Sequence, residues 1–329
     1  MGKRVKAGSE IVTKTPKASR RAGSASTGTD PLPRIGVHVS VTGGLENAFV
    51  NGAAAGCDVV QVFVKNQRQW WAKPLSDEQI RVFHDARPRS NIIPVTAHAS
   101  YLLNLAAPND AIRTMSVDAM IDELTRCEAL DISGLVFHPG AHCEPECRMT
   151  NGEDRMTEAD LRGIERIAHG IDEVHNRCAG FKTMLLLECT AGQGSAIGWQ
   201  FEQLAEILKR VRNASRIGVC LDTCHLFAAG YDFRKPEGYA AIIEHLDATV
   251  GIPNVKCIHC NDSKRELGSR VDRHEHIGKG MIGKSGFANF LNDPRFRAVP
   301  YILETPKGED EKGRDLDRLN VQRLRRLVR

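Results

Sequence analysis

The sequence predicts an α/β protein in which eight parallel strands and their helices close into a single barrel domain, the (β/α)₈ or TIM-barrel fold. Short β-branched or aliphatic runs alternate with segments of helical spacing, which is typical of a parallel sheet whose strands are buried on both faces. The strand-like runs number eight, and this number favours a closed barrel over an open sheet. No G-x-G-x-x-G follows the first run, so the pattern of a dinucleotide-binding sheet has no support.

The strands are expected where the chain is most aliphatic and β-branched. Their predicted ranges are residues 35–39, 59–64, 92–98, 134–138, 184–188, 217–222, 255–259 and 301–304. Helices are expected where apolar residues recur at helical spacing between these runs. Examples are residues 112–130, 161–174, 201–211 and 239–250. Gly, Pro, Asn or Asp marks most of the joints, as expected for turns between elements.

Residues 1–33 differ from the rest of the chain in composition. They are rich in Lys, Arg, Ser, Thr, Gly and Pro and poor in large apolar residues, which predicts a disordered basic tail. Residues 1–34 carry a net charge of +6 and the whole chain +4, so the remainder carries about −2. The predicted barrel domain, residues 34–329, is therefore not uniformly basic, and any surface for nucleic acid must be a local patch. A passive tail is favoured over a DNA-binding arm or a targeting address.

The chain is expected to be soluble, cytoplasmic and monomeric. No apolar run approaches the ~18 residues of a membrane helix, and the N-terminus lacks the apolar segment of a secretory signal. The ten cysteines are therefore expected to be reduced and mostly buried. Cys257 and Cys260 form a C-x-x-C, but an offset of three in a strand sends them to opposite faces, which argues against joint chelation.

The stretch SRVDRHEH at residues 269–276 is the first indication of chemistry. Asp272 and His274 lie two apart, so an extended segment places an oxygen and an imidazole nitrogen on one face, where they can hold one metal ion. His276 extends this register, which leaves Asp-x-His and His-x-His both open. Such ligands suit Zn²⁺, Mn²⁺ or Fe²⁺ better than Mg²⁺. Taken alone, the stretch is equally well interpreted as a charged surface loop.

Residues of the same types recur where the predicted strands end. They are His98, His138, Glu188, Asp222, His259 and Glu304, with His225 three residues after Asp222. The carboxyl ends of barrel strands converge on one face, so these residues are expected to meet Asp272 and His274 there. Each residue alone has a simpler explanation, as an ordinary core or surface histidine or an ion-paired carboxylate. Nine such groups buried together without a metal would carry a severe desolvation cost, so the sequence predicts a multinuclear site for three ions.

Six longer motifs are more specific than the single residues. They are KNQRQW at 65–70, HASYLLNLA at 98–106, FHPGAH at 137–142, ECTAGQGS at 188–195, LDTCHLFAAGYD at 221–232 and SRVDRH at 269–274. With them, the chain from residue 35 to about 305 resembles the endonuclease IV family of apurinic/apyrimidinic (AP) endonucleases, which are trinuclear zinc enzymes on a (β/α)₈ barrel. The resemblance therefore implies Zn²⁺, three ions per chain, as the cofactor.

The resemblance also implies how the ligands divide among the three ions. His98, His138 and Glu188 would hold the first, Glu188, Asp222, His259 and Glu304 the second, and His225, Asp272 and His274 the third. The implied reaction is hydrolysis of the phosphodiester 5′ to an abasic site, leaving a 3′-hydroxyl and a 5′-deoxyribose phosphate. Repair of blocked 3′ ends is implied as a further activity. Glu188 would be the catalytic residue, since it bridges two ions and could assist deprotonation of the attacking water.

The same resemblance implies contacts to double-stranded DNA. Arg68, Tyr101 and Leu102 would enter the base stack or fill the gap left by the flipped abasic nucleotide, which offsets part of the unstacking cost. The implied phosphate contacts are Asn66, Gln67, Lys264 and Arg273, of which Arg273 could instead pair with a carboxylate near the ligands. Core packing is the alternative for Tyr101 and Leu102, and the residues alone favour it.

Other residues near these motifs are interpreted more plainly. Trp70 and Trp71 are expected to be packing residues, and His38 is expected to face the same rim as a neighbour of the ligands. Two departures from the family pattern are a longer loop at residues 143–156 and Cys260 after His259, where an aliphatic residue is common. Neither changes a ligand position.

Two other functions compete with this interpretation. A sugar isomerase of the xylose-isomerase type shares the barrel and uses two divalent metals, but its sites are richer in carboxylates. Five histidines and the pair Asp272 and His274 argue against it. A non-catalytic binder of abasic DNA would lack the ligands, whereas all nine positions are filled here.

Overall fold

The computed structural model describes residues 1–2, 32–92, 95–144 and 156–329. Most of the predicted tail at 1–33 and most of the loop at 143–156 lie outside these described residues, so both interpretations stay predictions. The chain from Leu32 to Arg329 forms one compact unit.

Eight parallel strands close into a barrel, as predicted. They are β1 (Ile35–His38), β2 (Val59–Val62), β3 (Val95–His98), β4 (Gly134–Phe137), β5 (Met184–Glu188), β6 (Ile217–Asp222), β7 (Val255–His259) and β10 (Tyr301–Leu303). Barrel neighbours follow the chain order, and β10 closes the ring between β7 and β1. A short antiparallel ribbon of β8 (Asp262–Ser263) and β9 (His274–Glu275), which the sequence analysis did not predict, follows β7.

At least one helix follows each barrel strand. They are α1 (Asn47–Ala55), α2 (Asp77–Ala86), α3 (Asp110–Ala129), α4 (Glu158–Arg177), α5 (Phe201–Arg210), α6 (Thr223–Ala229), α7 (Pro236–Thr249), α8 (Gly283–Leu291) and α9 (Leu316–Arg325). Polar caps define several starts, since Asn109 accepts the N–H of Ile112 at the start of α3 and Thr157 forms a capping box with Asp160 at the start of α4. Within the described ranges, every helix is too short or too polar to cross a membrane.

The apolar core has two layers. A small inner cluster fills the barrel, and its members are Val59, Val136, Leu186, Cys220, Cys257 and Ile302. The larger cluster lies between the strands and the surrounding helices. Cys260 belongs to this larger cluster, so Cys257 and Cys260 do point to opposite faces as predicted. All cysteines in the described part of the chain are free thiols.

Candidate metal centre

The two-residue period of the strands determines where the predicted ligands point. In five strands, a member of the inner cluster stands two residues before a predicted ligand. These pairs are Val136/His138, Leu186/Glu188, Cys220/Asp222, Cys257/His259 and Ile302/Glu304. Because side chains alternate along a strand, each ligand points into the barrel like its partner, one step nearer the carboxyl end. The ligands therefore form a cup above the inner cluster.

Glu188 lies at the centre of the cup and is fully buried. Its Oε2 lies 2.9 Å from Nε2 of His98 and 3.1 Å from Nε2 of His138. Its Oε1 lies 2.9 Å from Nδ1 of His259. The two oxygens therefore face different histidines, which is the arrangement of a carboxylate that bridges two ions. The two groups of donor atoms that share this carboxylate are His98–His138–Glu188 and Glu188–Asp222–His259–Glu304.

The second group surrounds the buried ring of His259. Nδ1 of His259 lies 3.2 Å from Oε2 of Glu304 and 3.8 Å from Oδ2 of Asp222. Its Nε2 lies 3.0 Å from Oε1 of Gln61. A proton on Nε2 satisfies the glutamine oxygen and leaves the Nδ1 lone pair directed at the carboxylates. The ring is therefore oriented as a ligand through Nδ1.

Asp272 joins two histidines in a third group. Its Oδ2 lies 3.1 Å from Nε2 of His225, and its Oδ1 lies 3.2 Å from Nε2 of His274. Oδ2 of Asp222 lies 3.7 Å from the same nitrogen of His274, and Asp222, His225 and His274 form a further set of donors within reach of one ion. The second and third groups therefore adjoin at Asp222.

His276 does not extend this group. Nδ2 of Asn320 lies 3.0 Å from its Nδ1, and His276 is absent from every metal-capable group among the residues the structure describes. Of the two pairings that the sequence left open, the structure brings together Asp272 and His274.

Backbone carbonyls orient three of the histidines through their Nδ1 atoms. The distances are 2.7 Å from His98 to O of Ala99, 2.8 Å from His225 to O of Cys189 and 3.1 Å from His274 to O of Glu304. A carbonyl oxygen accepts a proton on Nδ1 and so leaves Nε2 free to bind a metal. The Nε2 atoms are those that face the carboxylates.

Two buried amides support the cup, and sequence reasoning missed both. Nε2 of Gln61 donates to Oε1 of Glu304 at 2.6 Å and lies 3.1 Å from Nδ1 of His38. Asn261 donates to Oδ2 of Asp222 at 2.6 Å and accepts the backbone N–H of Glu304 at 2.7 Å. A glutamine inside the apolar run VVQVFV was the available signal for Gln61. His38 lies beside Glu304 as expected, with Nδ1 3.2 Å from Oε1.

The acidic and basic side chains of the cup shift one another's pKa values. Burial raises the pKa of Glu188, but the adjoining rings of His259 and His138 outweigh it and hold that pKa well below its usual range. Burial lowers the pKa of His274, but Asp222 and Asp272 raise it to about 9. The Glu188 carboxylate is thus ionised because positive charge stands beside it, and a divalent cation would supply such charge equally well.

The donor set fits divalent transition metals. Five imidazoles and four carboxylates are the ligand types that Zn²⁺ takes in proteins. Nε2 of His274 is also buried and makes no well-directed hydrogen bond within the described ranges, although Asp272 is near. A buried nitrogen without a hydrogen-bond partner reduces the stability of the fold unless another group binds it. A metal ion is such a group.

Comparisons with known proteins agree with this geometry. A family model described as xylose isomerase-like TIM barrel matches residues 49–325. The protein named Probable endonuclease 4 of Chloroflexus aurantiacus is 48% identical over 297 residues, which cover 90% of this chain and 99% of that protein. Its counterpart from Nitratidesulfovibrio vulgaris is 43% identical over 298 residues, covering 91% and 100%. The chain belongs to the endonuclease IV family.

Solved structures give the same result. Endonuclease IV from Thermus thermophilus superposes with a TM-score of 0.75 at 34% identity, covering 90% of this chain and 98% of that one. A D-tagatose 3-epimerase-like protein superposes with a TM-score of 0.64 at 19% identity, covering 89% and 96%. That second likeness concerns the fold alone, so the sugar-isomerase alternative has less support than the nuclease.

Tyr101 and Leu102, which were expected to contact DNA, lie at the mouth of the cup. Tyr101 and Leu102 are 57% and 37% exposed, so the core-packing alternative for both is wrong: their strand has already ended, and they stand on the loop beyond it. Both line a cavity of about 440 Å³, whose other walls include His138, His225 and Asp272. Tyr101 and Leu102 are therefore accessible beside the cup, and their contact with DNA stays a prediction.

The remaining predicted DNA contacts are also accessible. Asn66 and Arg68 are exposed, Gln67 is half-buried, and Lys264 and Arg273 are exposed on the β8–β9 ribbon. Lys264 donates its backbone N–H to the carbonyl oxygen of Arg273 at 2.9 Å, so the structure places these two residues side by side.

The tryptophans after Arg68 divide between two environments. Trp70 packs against the core as expected, but Trp71 is 55% exposed. The packing interpretation is therefore wrong for Trp71. Adjacent residues in an irregular loop point in different directions, and only one of the two indoles can reach the core.

Proposed function

We propose that this chain incises double-stranded DNA 5′ to abasic sites, leaving a 3′-hydroxyl and a 5′-deoxyribose phosphate, and cleans blocked 3′ ends with the same site. Membership of the endonuclease IV family makes it a nuclease of DNA repair. The observation that carries the proposal is the continuity of three donor groups, joined at Glu188 and at Asp222, on the carboxyl face of the barrel. Active sites of this fold are built on that face.

We assign three Zn²⁺ ions to these groups. The first group is His98, His138 and Glu188, and the second is Glu188, Asp222, His259 and Glu304. The third is His225, Asp272 and His274, for which the support is the contact of Asp272 with both rings. When bound, such ions act as Lewis acids that lower the pKa of a water toward ~7 and neutralise charge on phosphate oxygens. Asp222 adjoins both the second and the third group, which favours three ions set close together.

Glu188 is the proposed catalytic residue. As a ligand beside divalent cations, its carboxylate would be ionised at neutral pH and would accept a proton from the attacking water. Full burial excludes bulk water from this carboxylate. Backbone and amide contacts to the surrounding rings keep the donors in position before substrate arrives, which lowers the cost of reorganisation.

Recognition of the lesion is assigned to the exposed loops. Tyr101 and Leu102 would enter the gap of a flipped abasic nucleotide, and Arg68 would stack beside the vacated position. Asn66, Gln67, Lys264 and Arg273 would contact phosphates and so position the duplex without reading its sequence. These roles are supported by accessibility and by the cavity beside the cup.

The test is incision of a labelled duplex that carries one abasic-site analogue, with and without prior treatment by a strong zinc chelator. We expect cleavage on the 5′ side of the analogue, its loss on chelation and its return when Zn²⁺ is added. Elemental analysis of the untreated protein should find close to three zinc atoms per chain. Absence of incision by zinc-loaded protein would reject the proposed reaction.

Monomeric state and cytoplasmic location are further proposals. The support for a monomer is that the cup receives all its donors from a single chain. Light scattering of the full chain at several concentrations tests the first, and fractionation of the source cells tests the second.

A further inference from the structure

Two loops on the carboxyl face of the barrel are held together by buried acidic and basic side chains. We name residues 65–73, between β2 and α2, the Arg68 loop, and residues 99–104, between β3 and α3, the Tyr101 loop. Both belong to the motifs that carry the proposed DNA contacts. The side chains that join them come from both loops and from the buried face of α3.

Glu123 of α3 holds the Tyr101 loop. It is 1% exposed and accepts the backbone N–H of Ser100 through both carboxylate oxygens, at 3.1 and 3.3 Å. Ser100 is the residue directly before Tyr101, and its hydroxyl accepts the backbone N–H of Leu102 at 3.2 Å. The start of this loop is therefore anchored to a helix rather than free to move in solvent.

Lys65 holds the Arg68 loop and reaches the same carboxylate. Its ammonium donates to the carbonyl oxygen of Trp70 at 2.7 Å, across the loop that carries Arg68. It lies 3.3 Å from Oε1 of Glu123 and 3.5 Å from Oδ2 of Asp122, and its side chain is only 2% exposed. A buried ammonium is stable only when such partners are present.

The side chains of Ser100 and Arg126 also hold the two loops together. The hydroxyl of Ser100 donates to the carbonyl oxygen of Gln67 at 2.6 Å, which ties the loops directly to each other. Arg126 of α3 donates to the carbonyl oxygens of Ala72 and Lys73 at 3.0 and 2.7 Å. The far end of the Arg68 loop is thus held by the same helix.

We propose that the buried pair of Lys65 and Glu123 positions the two DNA-facing loops as one rigid unit, so that Arg68 and Tyr101 meet an abasic duplex at a fixed separation. Lys65 and Glu123 touch neither the donor cup nor solvent, so they are positioning residues and not catalytic ones. The inference rests on the proposed function. A loop ordered before binding loses less conformational entropy when DNA arrives, so the pair should lower KM more than it affects turnover.

A double-variant cycle can distinguish a positioning role of Lys65 and Glu123 from a role in stability alone. Lys65→Met leaves the buried Glu123 carboxylate without its cation, and Glu123→Met leaves the Lys65 ammonium with only Asp122, at 3.5 Å, as a carboxylate partner. Both losses are destabilising, the first more strongly. The double variant removes both charges and should recover much of the lost stability. It cannot recover the contacts to Trp70 and Ser100, because methionine offers no suitable donor or acceptor. The double variant is therefore expected to regain stability while its two loops stay less ordered than in the wild type.

A matched control lies on the same helix. Glu128 of α3 accepts the backbone N–H groups of Lys182 and Thr183 at 2.9 Å each, but at the amino end of β5, across the barrel from the cup. Glu128→Met removes the same kind of contact where no DNA is expected. It should loosen residues 182–183 and leave the kinetics on abasic DNA unchanged.

The measurements are urea midpoints, hydrogen exchange of residues 65–73 and 99–104, zinc content, and KM and kcat on a duplex with one abasic analogue. In both single variants and in the double variant, we expect faster hydrogen exchange in both loops. We also expect KM to rise about tenfold, which corresponds to the loss of one charge-assisted hydrogen bond. Zinc content should stay at the wild-type level, and the urea midpoint should recover only in the double.

Two results would overturn the proposal. One is a double variant whose KM returns to the wild-type value together with its stability, since the pair would then be structural only. The other is unchanged exchange in both loops, and if the single variants do not fold, the double variant still decides this point. Failure of the wild-type chain to incise DNA would reject the proposed function instead, while exchange and stability still test the positioning role.

Discussion

Asp222 accepts the backbone N–H of His225 through Oδ1 at 2.8 Å, so the residue that ends β6 is also the N-cap of α6. Its other oxygen, Oδ2, faces His259 and His274 in the cup. One carboxylate thus starts the helix that carries His225 and also offers a ligand atom. Local backbone structure and the metal centre are coupled through this side chain.

Substitutions at Asp222 should separate these two roles. Asp222→Ser keeps an oxygen that can cap α6 but cannot reach the cup, and Asp222→Ala loses both. We expect zinc at the second group to fall in both variants. The alanine variant should be less stable than the serine variant by about 1 kcal/mol, the usual value of an N-cap. Elemental analysis and urea unfolding measure the two effects, and equal stability of the variants would argue against the capping role.

Glu188→Gln should reduce single-turnover incision by more than about 100-fold, since a general base contributes roughly 10²–10⁴ in rate and the amide also loses a charged ligand. Binding to abasic DNA should remain measurable by fluorescence anisotropy, because the exposed loops are unchanged. Glu165→Gln, on the exposed face of α4, is the control for loss of one carboxylate. Turnover near the wild-type rate in the Glu188 variant would contradict its assignment.

Arg68→Ala should weaken binding to abasic duplex DNA roughly ten- to hundredfold, as expected when one stacking contact of about 1–3 kcal/mol is lost, without changing zinc content. Arg89→Ala makes the same charge change on an exposed turn before β3, at the other end of the barrel, and should have little effect. Loss of zinc from the Arg68 variant would indicate a structural role for this arginine.

Removal of metal should destabilise the chain, since an ion that binds only the folded state stabilises it by mass action. We expect chelation to lower the thermal midpoint and Zn²⁺ to restore it. Mg²⁺ should restore it poorly, because the cup offers five imidazoles where Mg²⁺ prefers oxygen. Scanning fluorimetry of the chelated protein with each ion added separately measures this. Equal recovery with both ions would contradict a histidine-rich site.

His175 on α4 should make the fold sensitive to acid. Burial, with Arg216 nearby, lowers its pKa to about 4 from an ordinary value of 6.5, and neither ring nitrogen has a hydrogen-bond partner in the described part of the chain. The unfolded chain therefore binds a proton as pH falls below about 6.5 while the folded chain does not, so stability falls until about pH 4.

His175→Leu should remove that part of the acid dependence. The measurement is the urea midpoint at several pH values between about 7.5 and 4, on chelated protein so that loss of metal does not contribute. His169→Leu, exposed on the same helix, should leave the pH dependence unchanged. Parallel curves for wild type and the His175 variant would show that this histidine does not contribute.

Most of the architecture and the donor types could be predicted because they depend on local periodicity. Strand ranges 184–188, 217–222 and 255–259 match β5, β6 and β7 residue for residue, since short apolar runs bounded by turns leave little freedom. The ribbon of β8 and β9 was missed because each strand has two residues and no periodicity of its own. Placement of Asp272 beside His225 depends on that ribbon.

The sequence by itself determined the barrel and the types of donor at its rim, because alternation along a strand and the end of a strand are local properties. Only the tertiary structure decided which donor atoms lie within reach of one another. Glu188 faces His98 with one oxygen and His259 with the other, and these residues stand on strands far apart in the chain. Their distances depend on how the closed barrel sets the strand ends against one another, and no spacing along the sequence contains that information.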